Sequence, residues 1–158
     1  MTVTSVIKPM DASAKFVIWA LGAAHESPNT GVALAIEDES TLSVIKFTGT
    51  TPEILVVVSG IEKLVGAYHF VAARFDENGT SLTVDGKTVV TTSVAPLNYG
   101  QQGQLGSTHG ANPVGYSKQR SAGVYFDDFA IYDTLLTPNE MRKIWREMVP
   151  QPFVIRIR

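Results

Sequence analysis

AYHFVAARFDENGTSLTVDG, residues 67–86, decides the fold of this chain. A long alternating segment runs into Asn78-Gly79, returns through Ser81–Val84, and meets a second turn at Asp85-Gly86. Alternation on both sides of an Asn-Gly pair is the strongest short-range hairpin signal a sequence carries. The reading predicts two antiparallel strands joined tightly at Asn78-Gly79, with a third leaving from Asp85-Gly86.

The same texture extends in both directions. Short segments rich in β-branched residues recur between Gly, Pro, Asn and Asp breaks, the pattern of an all-β sandwich or barrel. Strands are predicted over Val3–Lys8, Phe16–Leu21, Gly31–Ile36, Leu42–Phe47, Ile54–Ser59, Tyr68–Phe75, Ser81–Val84, Thr88–Thr92, Val114–Ser117, Tyr125–Tyr132 and Phe153–Arg158. One helix interrupts them. Thr137 caps it, Pro138 suits its first position, and Glu140 completes a capping box. Met141, Ile144, Trp145 and Met148 then form a single apolar stripe that should lie on the sandwich. Pro150 and Pro152 end the helix and launch PFVIRIR, in which Phe153, Ile155 and Ile157 alternate with Val154, Arg156 and Arg158, so one face wants burial and the other solvent or an acidic partner.

With 158 residues the chain reads as a single domain, long enough to bury roughly 70% of its unfolded surface. A net charge of -2 leaves no basic stripe to neutralise phosphates, which argues against nucleic acid as a partner. No cysteine is present, so disulfides and thiolate metal sites are excluded. The longest apolar run, Phe16–Leu21, is too short for membrane insertion. MTVTSVIKPMDAS has no apolar core of a signal peptide, which implies a virion or cytoplasmic location.

Ordered pieces of the chain resemble the laminin-G-like, concanavalin A-like jelly-roll family. MTVTSVIKP looks like the family's early strand. Tyr68, Val71 and Ala72 stand where the family has Trp-x-His-Val-Ala, with Phe70 in the His place. Leu82, Val84, Asp85 and Gly86 match its Leu-Tyr-Val-Asp-Gly hairpin, and Val114-Gly115 its Ile-Gly strand start. Phe126–Tyr132 is similar to Ile-Asp-Glu-Val-Arg-Ile-Tyr, and Leu136-Thr137 with Glu140 matches the closing Leu-Ser-x-x-Glu. The resemblance implies an antiparallel two-sheet jelly-roll sandwich over residues 1–158. It also implies an additional first strand, absent here, whose place either Phe153–Arg158 or a neighbouring chain would fill, since an open edge is a liability. Members of the family are mostly recognition modules for glycans or proteins, some using a rim calcium ion, and others are parts of larger assemblies including virus particles.

No catalytic constellation is legible. The related β-glucanases need two carboxylates on one strand face, whereas Glu37-Asp38-Glu39 falls where a hairpin turn is expected. That triplet is also the only segment dense enough in oxygens to suggest calcium; otherwise no cofactor is expected. His25, His69 and His109 lack zinc spacing, and His69 reads as a packed strand residue. Asp127 shares a face with Tyr125, Phe129 and Ile131 by alternation, which predicts an inward carboxylate whose removal would lower thermal stability.

Val94–Pro113 carries no formally charged residue but holds Asn98, Tyr99, Gln101, Gln102, Gln104, His109 and Asn112. Long connections are often functional. Amides beside an aromatic suit a glycan's hydroxyls and ring face, and equally a protein interface. Gly22–Thr30, with His25, Glu26 and Asn29, is a weaker second candidate. The sequence therefore predicts a noncatalytic recognition and assembly module, a capsid decoration or tail-associated protein of a phage-like virion, homo-oligomeric and held by protein partners. The alternative is a soluble lectin-like carbohydrate-binding module, with or without calcium.

Overall fold

A computed structural model describes residues 1–22, 30–95, 103–106, 113–117 and 123–148. Ten strands and one helix follow in chain order: β1 (Thr2–Pro9), β2 (Phe16–Leu21), β3 (Thr30–Asp38), β4 (Thr41–Thr48), β5 (Thr51–Val58), β6 (His69–Asp76), β7 (Gly79–Val84), β8 (Lys87–Thr91), β9 (Gly103–Leu105), β10 (Val124–Tyr132) and α1 (Pro138–Met148). They form two antiparallel five-stranded sheets, in the orders β10-β1-β6-β7-β8 and β5-β4-β3-β2-β9. This is the two-layer sandwich that the family resemblance implies, and it resolves the choice between sandwich and barrel that alternation leaves open.

The inner faces meet in one core that includes Val3, Ile7, Ile18, Trp19, Leu34, Val44, Val71, Phe75 and Leu82. Each such side chain, fully withdrawn from water, contributes about 1.5–3 kcal/mol. Trp19 meets Phe129 edge-on, with ring centroids 6.3 Å apart, and so joins the two sheets. β2 is buried at every position, because its second face is covered too.

The capping box forms as expected. The Thr137 N–H donates to Glu140 Oε2 at 2.7 Å, and the Glu140 N–H donates to Thr137 Oγ1 at 3.3 Å. The stripe of α1 then packs on the outer face of the first sheet, against Val6, Phe70 and Ala72. No helix of the described residues is long and apolar enough to cross a membrane.

Five expectations need correction or fall out of reach. Val114–Ser117 is a turn, held across the sandwich by hydrogen bonds at its ends rather than by a partner strand. A three-residue strand, β9, lies in its stead inside the predicted loop. The tight turn lies one residue early: Glu77 and Asn78 form it, and Gly79 already pairs with Asp76. By contrast Asp85 and Gly86 both take positive φ, 48° and 85°, as a type I′ turn demands. Asp127 points outward. β10 carries a bulge opposite Ser5 and Val6, where Phe129 and Asp127 pair and Asp128 (φ 54°) is skipped. One extra residue reverses the faces on either side of it, so Phe126 and Phe129 reach the core and Asp127 does not. Finally, β1 is no edge strand, since β10 and β6 flank it. Phe153–Arg158 lies outside the described residues.

Candidate functional site

The outer faces of the two sheets differ. The first carries α1. The second, on β5-β4-β3-β2-β9, is built on small residues: Gly31, Ala33 and Ala35 on β3 and Ala20 on β2. At Gly31 any Cβ would strike the Phe47 ring and the Leu21 carbonyl, so glycine is what lets that ring lie across the strand. Val17, Ala20, Ala33, Ala35, Ile45 and Phe47 form a second apolar cluster, and Tyr116 closes it.

Tyr116 comes from the 113–117 turn, which two backbone bonds fasten to the sandwich. The Val114 N–H donates to the Thr50 carbonyl at 2.8 Å, and the Ser117 N–H to the Lys15 carbonyl at 2.7 Å. The phenol reaches Glu37 on β3. Glu37 is the unpaired residue of a bulge, since Ile36 pairs with Leu42 and Asp38 with Thr41. Its side chain is thereby kept on the Ala35 face, where Ser43 also stands. Glu37 Oε1 accepts from Ser43 Oγ at 2.5 Å and from Tyr116 Oη at 2.6 Å, while Oε2 meets Lys15 Nζ at 2.8 Å.

Burial is the largest influence on the Glu37 carboxyl and raises its pKa, but Lys15, Ser43 and Tyr116 together outweigh it and hold the group below 4.5. Tyr116 is displaced the other way: burial first, then the neighbouring carboxylate, push it well above its ordinary 10.0. An ionised carboxylate that already takes two hydroxyl protons and an ammonium clasps a turn. Ionised, it has no proton to give. Nor do Glu37, Asp38 and Glu39 converge on a cation. Asp38 turns to the Ser40 N–H at 2.8 Å, and among the described residues no group of three or more His, Asp or Glu could hold a metal ion.

Of the seven residues picked from sequence, the structure describes Gln104. It lies on β9, opposite Ala20 at the free edge of the sheet, and so on the same outer face as the Tyr116 cluster. The side chain is half-buried, and its Oε1 is buried with no hydrogen-bond partner among the described residues. Gly103 beside it allows the close approach of β9, since a Cβ there would stand 3.2 Å from Leu21 Cδ2. Asn98, Tyr99, Gln101, Gln102, His109 and Asn112 lie outside the described residues, as do His25, Glu26 and Asn29. Sequence reasoning missed Tyr116 and its pairing with Glu37. A bulge and a turn contact spanning 79 residues bring them together, and neither has a local signature.

A laminin-G-type family model, described as Concanavalin A-like lectin/glucanases superfamily, matches residues 1–142. Solved structures of the same shape include the CBM40 of the Ruminococcus gnavus IT-sialidase bound to α2,3 sialyllactose. That chain is 14% identical, the match covers 90% of this chain and 80% of that one, and the TM-score is 0.61. The heptameric SAP-like pentraxin of Limulus polyphemus is 15% identical over 90% of this chain and 68% of its own, with a TM-score of 0.61. The Trypanosoma rangeli sialidase in complex with sialic acid is 11% identical with a TM-score of 0.63; the match covers 93% of this chain but 23% of the sialidase. At these identities the likeness is one of fold. Among curated protein sequences there is no match.

Proposed function

The chain belongs to the concanavalin A-like lectin/glucanases superfamily, and on that footing we propose that it is a noncatalytic module that binds carbohydrate. The binding surface is the β9 edge of the β5-β4-β3-β2-β9 sheet, where Gly103 and Leu105 are exposed, with the amides and Tyr99 of Val94–Pro113 as its contacts. One observation carries this reading: Gln104 presents a buried amide oxygen without a donor among the described residues, on the side of the sandwich away from α1. An unmet acceptor costs about 1–3 kcal/mol, which a donating hydroxyl from a ligand would recover. The 14%-identical CBM40, solved with sialyllactose, supports carbohydrate as the ligand class. The comparisons favour this alternative over the phage-like assembly reading; the heptameric pentraxin gives the homo-oligomer part of that reading a precedent in fold only.

A glycan array followed by titration calorimetry on its strongest hit tests the proposal. Tyr99→Ala and Gln104→Ala should each weaken binding about tenfold, roughly 1.4 kcal/mol. No saccharide bound by the wild-type chain, or undiminished binding in both variants, would overturn it. Light scattering that finds a large closed ring with no glycan affinity would restore the assembly reading.

A further inference from the structure

The β6–β7–β8 hairpins carry a polar notch that neither the fold nor the Gln104 face explains. Arg74 pairs with Ser81, and Ser81 with Val90, so the three stand in one row across adjacent strands. Alternation from Phe70 and Ala72, which meet α1, sets this row on the same outer face. In the next row Asp76 faces Gly79, whose missing side chain admits the Thr91 carbonyl, and beside them lies a cavity of about 130 Å³, lined by Arg74, Asp76, Asn78, Gly79, Ser81 and Val90 among others.

Its polar groups are unspent. Arg74 Nε is buried with no hydrogen-bond partner, and its guanidinium makes no ion pair among the described residues. Ser81, only 7% exposed, adds a hydroxyl to the same row. Asp76 uses Oδ1 to accept from the Asn78 N–H at 2.8 Å, which leaves Oδ2 available. Val90 supplies an apolar wall that is 73% exposed. Buried donors left unmet are costly, and a guanidinium beside a carboxylate matches two adjacent hydroxyls, one accepting and one donating. The aliphatic wall suits the C–H face of the same ring. Asp76 disfavours a ligand carboxylate in this small space by like charge.

We propose that this notch is a second saccharide site, on the sheet opposite Gln104, which takes a single neutral sugar residue. The test is a proton–nitrogen correlation NMR titration of the full chain with methyl glycosides of neutral hexoses, and with methyl N-acetylneuraminate glycoside as the acidic probe. Neutral glycosides should shift the amides of residues 74–81 and 88–91. Arg74→Ala should weaken that binding about tenfold, Asp76→Asn should weaken it less, and Gln104→Ala should leave it unchanged. Failure of the Gln104 face therefore leaves this site testable by itself. No shifts at these amides, undiminished binding in Arg74→Ala with a wild-type melting temperature, or tighter binding of the acidic sugar would each refute it. Should Arg74→Ala fail to fold, undiminished binding in Asp76→Asn decides against it instead.

Discussion

Glu37 and Asp85 use one device in two settings. Each carboxylate stands in or beside a hairpin, Glu37 on β3 and Asp85 in the β7–β8 turn, and clasps a segment distant in sequence. Glu37 holds the 113–117 turn through Tyr116. Asp85 accepts the Phe70 N–H at 2.9 Å and His69 Nδ1 at 2.6 Å, and the other ring nitrogen of His69 reaches the Lys63 carbonyl at 3.1 Å. At Glu37 the carboxylate is buried, 8% exposed, and its ion partner Lys15 is out in water. At Asp85 the carboxylate is 36% exposed and the imidazole, at 5%, is the buried member. Both ring nitrogens of His69 face oxygens, Asp85 Oδ2 and the Lys63 carbonyl, an arrangement that favours the doubly donating, protonated ring. The lesson is that the buried member decides which charge a clasp depends on.

Opposite pH limbs follow. Burial is the largest influence on His69 and pulls its pKa down, but Asp85 and the carbonyls of Lys63 and Leu64 outweigh it and raise the value above 6.5. Its contribution is therefore complete below the unfolded value and is lost as pH rises through the folded one. Glu37, held below 4.5, contributes fully above that value and loses its effect as pH falls through its folded pKa.

The largest effect should come from Glu37→Ala, which strands Ser43 and Tyr116 without an acceptor. Urea unfolding at neutral pH should show a loss of about 2–3 kcal/mol, after discounting the exposed Lys15. A loss no greater than that of a surface carboxylate such as Glu53 would break the comparison. Glu37→Gln should in addition flatten the acid limb of the stability profile. Asp85→Asn comes next. Asparagine tolerates the positive φ and keeps an acceptor for Phe70, so what is lost is the partner of the protonated ring, about 1–2 kcal/mol near pH 6. The deficit should shrink as pH rises, and His69→Gln should remove the alkaline limb; a deficit constant with pH would show that His69 is neutral in the fold. The smallest change sharpens the contrast: Asp127→Ala removes a solvated carboxylate, and its melting temperature should move by no more than about 0.5 kcal/mol warrants.

Much of this architecture was legible in the residues. The apolar run of β2, the β-branched texture of β4 and β6, the Asp85-Gly86 turn and the Thr137/Glu140 cap are local patterns, and each element formed where they stood. The errors have separate causes. Alternation places Asp127 inward because it assumes an unbroken ladder, and Asp128 breaks it. The acidic triplet reads as a turn, but β3 continues two residues past Ile36 to Asp38 and the reversal falls at Glu39 and Ser40. Val114–Ser117 has strand-like residues but no strand beside it, and β9 is a strand only because β2 offers it an edge.

Periodicity, turn chemistry and capping depend on neighbours a few residues away, so the amino-acid order by itself determined the sandwich and its helix. Which side of a strand faces in, and which distant hydroxyl meets a carboxylate, depends on register summed over partners far along the chain. Only the packed sheets decided that, because a single unpaired residue reverses every side chain beyond it and no local preference resists the change.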